Sequence, residues 1–132
     1  MGSRGRILEA GGITILDDCY NANPTSCRAA LESLAMLSGR KVAVLGDMLE
    51  LGDNGPALHR EIGVYAAKLG IRILACGPIS KATAEGANGV WYESAEELIA
   101  SLPENILNGD CVLVKASHGM HLERVVEALK TR

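Results

Sequence analysis

Short apolar runs alternate along the chain with longer stretches in which apolar positions recur every three or four residues, the pattern of strands and helices that follow one another. Ile13 to Leu16 reads as a strand ending at Asp17-Asp18, and Arg6 to Glu9 reads as an edge strand turned back on it by Gly11-Gly12. After Asn23-Pro24 a helix is predicted, because Pro suits the first helical turn and Ala30, Leu31, Leu34 and Leu37 share one face; Gly39 ends it. Lys41 to Gly46 is a strand whose Val-Ala-Val-Leu run suits burial on both faces, and a loop from Gly46 to Gly55 follows. The next helix places Leu58, Ile62, Tyr65, Ala66 and Leu69 on one face, and Gly70 closes it before the strand Ile71 to Cys76.

Beyond that point the signals are a weaker helix over Lys81 to Ala87, a short strand over Val90 to Tyr92, and a capping box at Ser94-Ala95-Glu96-Glu97. Cys111 to Lys115 is the last core strand, introduced by the turn Asn108-Gly109-Asp110. A final helix beginning near His118 carries Leu122, Val125, Val126 and Leu129 as its apolar stripe. The expected architecture is one α/β domain, a doubly wound, mostly parallel sheet with helices on both faces and an antiparallel edge strand near the N-terminus.

Composition narrows the function. At 132 residues and 48% hydrophobic, the chain can fold on an apolar core without staples. A net charge of -3 and the scattered aromatics Tyr20, Tyr65, Trp91 and Tyr92 argue against nucleic acid as a partner. No apolar run approaches a membrane span, so a cytoplasmic location is expected. Cys19, Cys27, Cys76 and Cys111 form no Cys-x-x-Cys pair, and with His59, His118 and His121 they lack zinc spacing; reduced thiols are expected. His59 reads as a surface or packing residue, and Trp91 as core or partial cover.

Ligands of such sheets bind beyond the carboxyl ends of the strands, and three polar clusters fall there. They are 17–24, 46–52 and 115–119. In the last, Ser117 is placed to cap the final helix, which would leave the amides of His118, Gly119 and Met120 pointing at the rim beside the Lys115 ammonium, a setting for a carboxylate or phosphate. Asp17 and Asp18 adjoin on a strand, so their side chains point to opposite faces. Asn21 and Asn23 offer neutral donors and acceptors, and Asn23 suits a helix N-cap equally well. The chain contains neither Gly-x-x-x-x-Gly-Lys-[Ser/Thr] nor Gly-x-Gly-x-x-Gly, so a phosphate cradle of either kind is missing.

Taken together, Gly5-Arg6, the string Asp17-Asp18-Cys19-Tyr20-Asn21-Ala22-Asn23-Pro24, the string Gly46-Asp47-Met48-Leu49-Glu50-Leu51-Gly52, and Leu113-Val114-Lys115-Ala116-Ser117 resemble the C-terminal domain of the Mur ligases. The likeness is strongest to those that add D-Ala-D-Ala to UDP-N-acetylmuramoyl-tripeptide. It covers 4–132, with Met1-Gly2-Ser3 read as an appended remnant.

The resemblance implies a ligase of peptidoglycan precursor synthesis. In that family ATP phosphorylates the tripeptide carboxylate and the dipeptide amine attacks the acyl phosphate. An N-terminal domain holds the UDP-sugar, a central one holds the phosphate loop and Mg, and the C-terminal domain closes over the site without turnover of its own. It also implies nucleotide contacts at Arg6, Asp18, Tyr20, Asn21 and Asn23, and substrate contacts at Asp47, Glu50, Lys115, Ser117 and His118. Where the family has Lys-Gly-Ser-Arg, this chain has Lys115-Ala116-Ser117-His118, and a histidine holds a carboxylate less firmly than an arginine. Two other readings carry less of the pattern. One is a receiver-like domain with Asp47 as phospho-acceptor, although Ala116 rather than Pro follows Lys115; the other is a stand-alone small-ligand binding module.

Overall fold

The computed structural model describes residues 6–19 and 22–132. Strands β1 (Arg6–Ala10), β2 (Ile13–Asp18), β3 (Lys41–Leu45), β4 (Arg72–Cys76), β5 (Val90–Tyr92) and β6 (Cys111–Lys115) form one sheet in the order β1-β2-β6-β3-β4-β5. Only β1 is antiparallel, paired with β2 from Arg6 opposite Asp17 to Ala10 opposite Ile13; all other pairings are parallel. The last strand in sequence is therefore inserted at the centre. Its Cys-Val-Leu-Val-Lys run suits that place, since all five residues are buried.

Helices α1 (Pro24–Ala35), α2 (Gly55–Lys68) and α3 (Ser80–Ala87) lie over one face, and α4 (Ala95–Asn105) and α5 (Glu123–Lys130) over the other. Alternate residues of each strand feed the two cores. Ala43, Leu45, Ile73 and Leu113 meet Leu31, Leu34 and Ile62, while Val42, Val44, Leu74 and Val112 meet Leu98, Val125 and Leu129. Burying side chains of this size stabilises the fold by about 1.5–3 kcal/mol each before chain entropy is counted. Where α2 crosses α3, a methyl group on Gly63 would overlap the Thr83 carbonyl, so glycine is what allows the two helices to approach.

The predicted strands and their order along the chain are borne out, and so is the antiparallel edge. Three local expectations are corrected. Helix α1 ends at Ala35, four residues before Gly39, where the Met36 N–H donates to the Ser33 carbonyl. Ser94 does cap α4 by accepting from the Glu97 N–H at 3.2 Å, but the Glu97 carboxylate accepts from the Glu93 N–H and not from that of Ser94 itself. The last helix begins at Glu123, five residues later than predicted, after a separate 3-10 turn over His118–Met120.

Candidate functional site

The strand order brings the three polar clusters to adjacent places, because β2, β6 and β3 are neighbours and end at the same rim. Asp18 lies level with Lys115, and Lys115 with Leu45. Lys115 Nζ donates to Asp18 Oδ2 at 2.8 Å, with the lysine side chain 2% exposed and the aspartate 16%. Asp17, one residue earlier and on the opposite face as expected, accepts from Arg6 at 2.6 Å across the β1–β2 pair. The two adjacent acids thus hold two different cations, one at the surface and one in the interior.

The row of amides expected beside the Lys115 ammonium is altered at two points. The Lys115 ammonium is enclosed and paired with Asp18, the Met120 N–H donates to the Ser117 carbonyl at 2.9 Å, and Leu122, with no side-chain cap, precedes α5. Ser117 does not cap the final helix, which Leu122 precedes. Its Oγ accepts from the Leu49 N–H at 3.1 Å, which ties the β6 exit to the β3 exit. The Ser117 hydroxyl keeps its own hydrogen as a donor. The turn takes this shape because His121 is left-handed, with φ 57°, which sends Leu122 into the core and delays the helix.

The β3 exit is held from several sides. The Asp47 carboxylate is 3% exposed, and its Oδ1 accepts from both the N–H and the Oγ of Ser80, each at 2.8 Å. Gly77, at φ 110°, passes so close that a Cβ there would lie 2.5 Å from Asp47 Oδ1. His59 is fully buried. Its Nε2 accepts from the Met48 N–H at 2.9 Å, and its Nδ1 lies 2.7 Å from the Gly55 carbonyl oxygen. The packing expectation for His59 holds, yet it omitted the polar partners that burial demands. Met48 is itself buried, with its sulfur 3.6 Å from Cys27 Sγ. Beyond this anchor the loop surfaces: Leu49 is 42% exposed, and Glu50 is exposed with φ 65°.

Asn23 is the N-cap of α1. Its Oδ1 accepts from the Ser26 N–H at 2.8 Å, and its own N–H donates to Ser26 Oγ at 3.0 Å. Of its two open roles, the cap is the one formed here. Tyr20 and Asn21 lie outside the described residues, as does the side chain of His118. The four cysteines are unpaired thiols. Burial pushes Cys27 and Cys76 up to about 11 and Cys19 higher still, the last helped by its hydrogen bond with Asp17. The described residues bring together no set of three His, Cys, Asp or Glu side chains suited to a metal ion.

A cavity of about 210 Å³ opens between the β1–β2 pair and α1, with Arg6 and Asp18 among its lining and Ile7, Leu16, Ala30 and Leu113 as apolar walls. It is smaller than the usual small-molecule pocket. Sequence reasoning found its two charged members and missed its walls. Ile7, 65% exposed on a strand, is the residue that could have signalled them. The receiver-like alternative is corrected here, because its acceptor Asp47 is enclosed and bonded to Ser80.

Known proteins match this arrangement. The Mur ligase, glutamate ligase domain family matches residues 3–118. The UDP-N-acetylmuramoyl-tripeptide--D-alanyl-D-alanine ligase of Bacillus subtilis (strain 168) is 39% identical over 128 residues, covering 89% of this chain and 28% of the relative. A crystal structure of MurF from Acinetobacter baumannii superposes with a TM-score of 0.88 at 32% identity, over 100% of this chain and 30% of that one. The MurF ligase of Thermotoga maritima in complex with ADP gives 0.82 at 30% identity, over 98% of this chain and 30% of that one. The chain thus spans under a third of the length of these relatives. On the family match, and with the rim built as described, the chain belongs to the Mur ligase family as its glutamate ligase domain.

Proposed function

We propose that residues 4–132 act as the C-terminal domain of an ATP-dependent ligase that joins D-Ala-D-Ala to UDP-N-acetylmuramoyl-tripeptide in peptidoglycan precursor synthesis. The observation that carries this reading is the convergence of Asp18, Lys115, Ser117 and the Asp47–Leu51 loop on one rim, in a chain 39% identical to a ligase named for that reaction. The domain supplies binding surfaces for the amine substrate and for the nucleotide. UDP-sugar binding, the phosphate loop and magnesium are assigned, on the family resemblance, to other domains of that ligase.

On the nucleotide side, Arg6 and Asp18 border the cavity beside β1. A carboxylate offers roughly four lone-pair sites, so Asp18 can accept from Lys115 and from a ribose hydroxyl together. The family resemblance gives Tyr20, Asn21 and Asn23 to the same ligand, and Asn23 also secures the start of α1. Arg6, more than half exposed, is placed to meet a phosphate as the domain closes.

On the amine side, the dipeptide carboxylate meets the Ser117 hydroxyl and the positive field of Lys115, with His118 in place of the family's arginine. Lys115 acts from beneath the surface, where its charge, partly balanced by Asp18, both attracts and orients the carboxylate. Leu49 and Glu50 form the outer wall, Glu50 facing the ammonium end. Amide formation then needs the dipeptide nitrogen held against the acyl phosphate, and orientation of this kind is worth several kcal/mol of barrier.

The test is a ligation assay on the longer protein that carries this chain, with tripeptide nucleotide, ATP and D-Ala-D-Ala. The reading expects one phosphate released per amide formed, and no ATP hydrolysis by the 132-residue chain alone. Rapid hydrolysis by the isolated chain, or no use of the dipeptide by the longer protein, would overturn it.

A further inference from the structure

Within this site the β3 exit is fixed firmly while its next residues stand in solvent. Three successive residues are each held by a different element. Asp47 is bound by Ser80 at the start of α3, Met48 by His59 of α2, and Leu49 by Ser117 after β6. The residue that follows, Glu50, has a left-handed backbone at φ 65°. That conformation costs a non-glycine residue on the order of 1 kcal/mol and persists only where the surroundings over-determine it.

We infer that His59 is a positioning residue of the amine-substrate site, holding the 47–51 loop in the one shape that presents Leu49 and Glu50 at the rim. The inference rests on the proposed function for its choice of substrate; the clamp itself rests on geometry. The Gly55 carbonyl can only accept, so the facing Nδ1 carries the hydrogen. The Met48 N–H can only donate, so Nε2 offers its lone pair. One neutral tautomer satisfies both contacts, and the ring thereby bridges the first turn of α2 to the loop that precedes it. No aliphatic side chain of the same size can do this. Leucine would fill the space and leave the Met48 N–H buried without an acceptor.

Three measurements test it. On this chain, long-range proton–nitrogen spectra of His59 are expected to show Nδ1 protonated and Nε2 accepting. In H59L the Met48 amide is expected to exchange with solvent about tenfold faster or more, as loss of a buried hydrogen bond requires, while Val44 and Val114 hold their protection. In the longer ligase, H59L is expected to raise KM for D-Ala-D-Ala about tenfold with KM for ATP and for the tripeptide within twofold. H59Q, whose side-chain oxygen sits near the place of Nε2, recovers most of that loss and also serves if H59L folds poorly.

An unchanged Met48 exchange rate, an Nε2-protonated ring, or equal KM changes for all three substrates would overturn the inference. A wild-type enzyme that ignores the dipeptide overturns the functional reading instead, and the exchange measurement still decides the clamp.

Discussion

The two halves of the rim are built on opposite physical plans. Where β2 and β6 end, side-chain charge does the holding: Asp17 with Arg6 at the surface, Asp18 with Lys115 in the interior. Where β3 ends, the contacts are to backbone amides, made by a buried carboxylate, a neutral imidazole and a hydroxyl. Ion pairs depend on charge and solvent and can exchange partners as a ligand arrives, whereas backbone hydrogen bonds fix a loop in one geometry. The first half thus suits ligands that bring charge of their own, and the second suits recognition by shape.

The largest effect on this contrast is expected from Lys115→Met. Removing one member of an enclosed pair leaves Asp18 with an uncompensated charge, and stability should fall by about 3 kcal/mol in a urea titration. Amide exchange of Ser80 should stay unchanged, because its partner Asp47 belongs to the other half. The converse is Asp47→Ala, which strips Ser80 of a charged acceptor for two donors. The expected loss is about 2–3 kcal/mol, with faster exchange at Ser80 and Met48 while the Lys115–Asp18 contact persists. If either variant loosened both halves equally, the division would be wrong.

A smaller effect separates the two roles of Asn23. Asn23→Ala removes the α1 cap and should cost about 1 kcal/mol by thermal unfolding, and Asn23→Ser, which also caps, should restore most of it. A nucleotide affinity that falls with Asn23→Ser although stability has returned would show that the amide contacts ligand as well as helix.

The last effect is one of pH. Cys27 and Cys76 hold their protons up to about 11 in the folded chain, against 9.0 for the free thiol, because burial disfavours the thiolate. The unfolded chain therefore releases these protons first, and stability is complete below pH 9 and declines as pH rises from 9 toward about 11. Urea midpoints at pH 8 and 10.5 measure this decline, and Cys27→Ala should reduce it while Cys76 keeps its share. At pH 8, iodoacetamide should modify Cys27 only as fast as the loop around Met48 opens.

Much of the fold was legible because it follows from period. The strands from Ile13, Lys41, Arg72 and Cys111 and the stripes of α1, α2 and α5 are local hydrophobic patterns, and no long-range contact is needed to see them. The start of α5 was not legible. Ser117-His118-Gly119 has the chemistry of a helix start, and only tertiary packing of Leu122, through a left-handed His121, decides otherwise. Lys115 was identified as a rim cation, but its pairing with Asp18, 97 residues away, depends on β6 entering the sheet between β2 and β3.

The role of His59 was hidden for a related reason, since its partner Met48 lies in a loop whose shape no periodicity encodes. A signal did exist. His59 shares the apolar face of Ile62, Gly63 and Ala66, and a histidine buried there must find polar partners. Asp47 was read as a substrate contact from the resemblance, and its burial and bond to Ser80 were not legible in the sequence because Ser80 lies 33 residues further on.

Steady-state kinetics of Lys115→Met in the longer protein proposed to carry this chain test the central claim most directly, with stability checked in parallel. If the rim of β2, β6 and β3 receives the amine substrate, KM for D-Ala-D-Ala rises at least tenfold while KM for the UDP-linked tripeptide stays within twofold, as loss of a charge-assisted contact predicts. Equal rises for both substrates, or no change for the dipeptide, would contradict it.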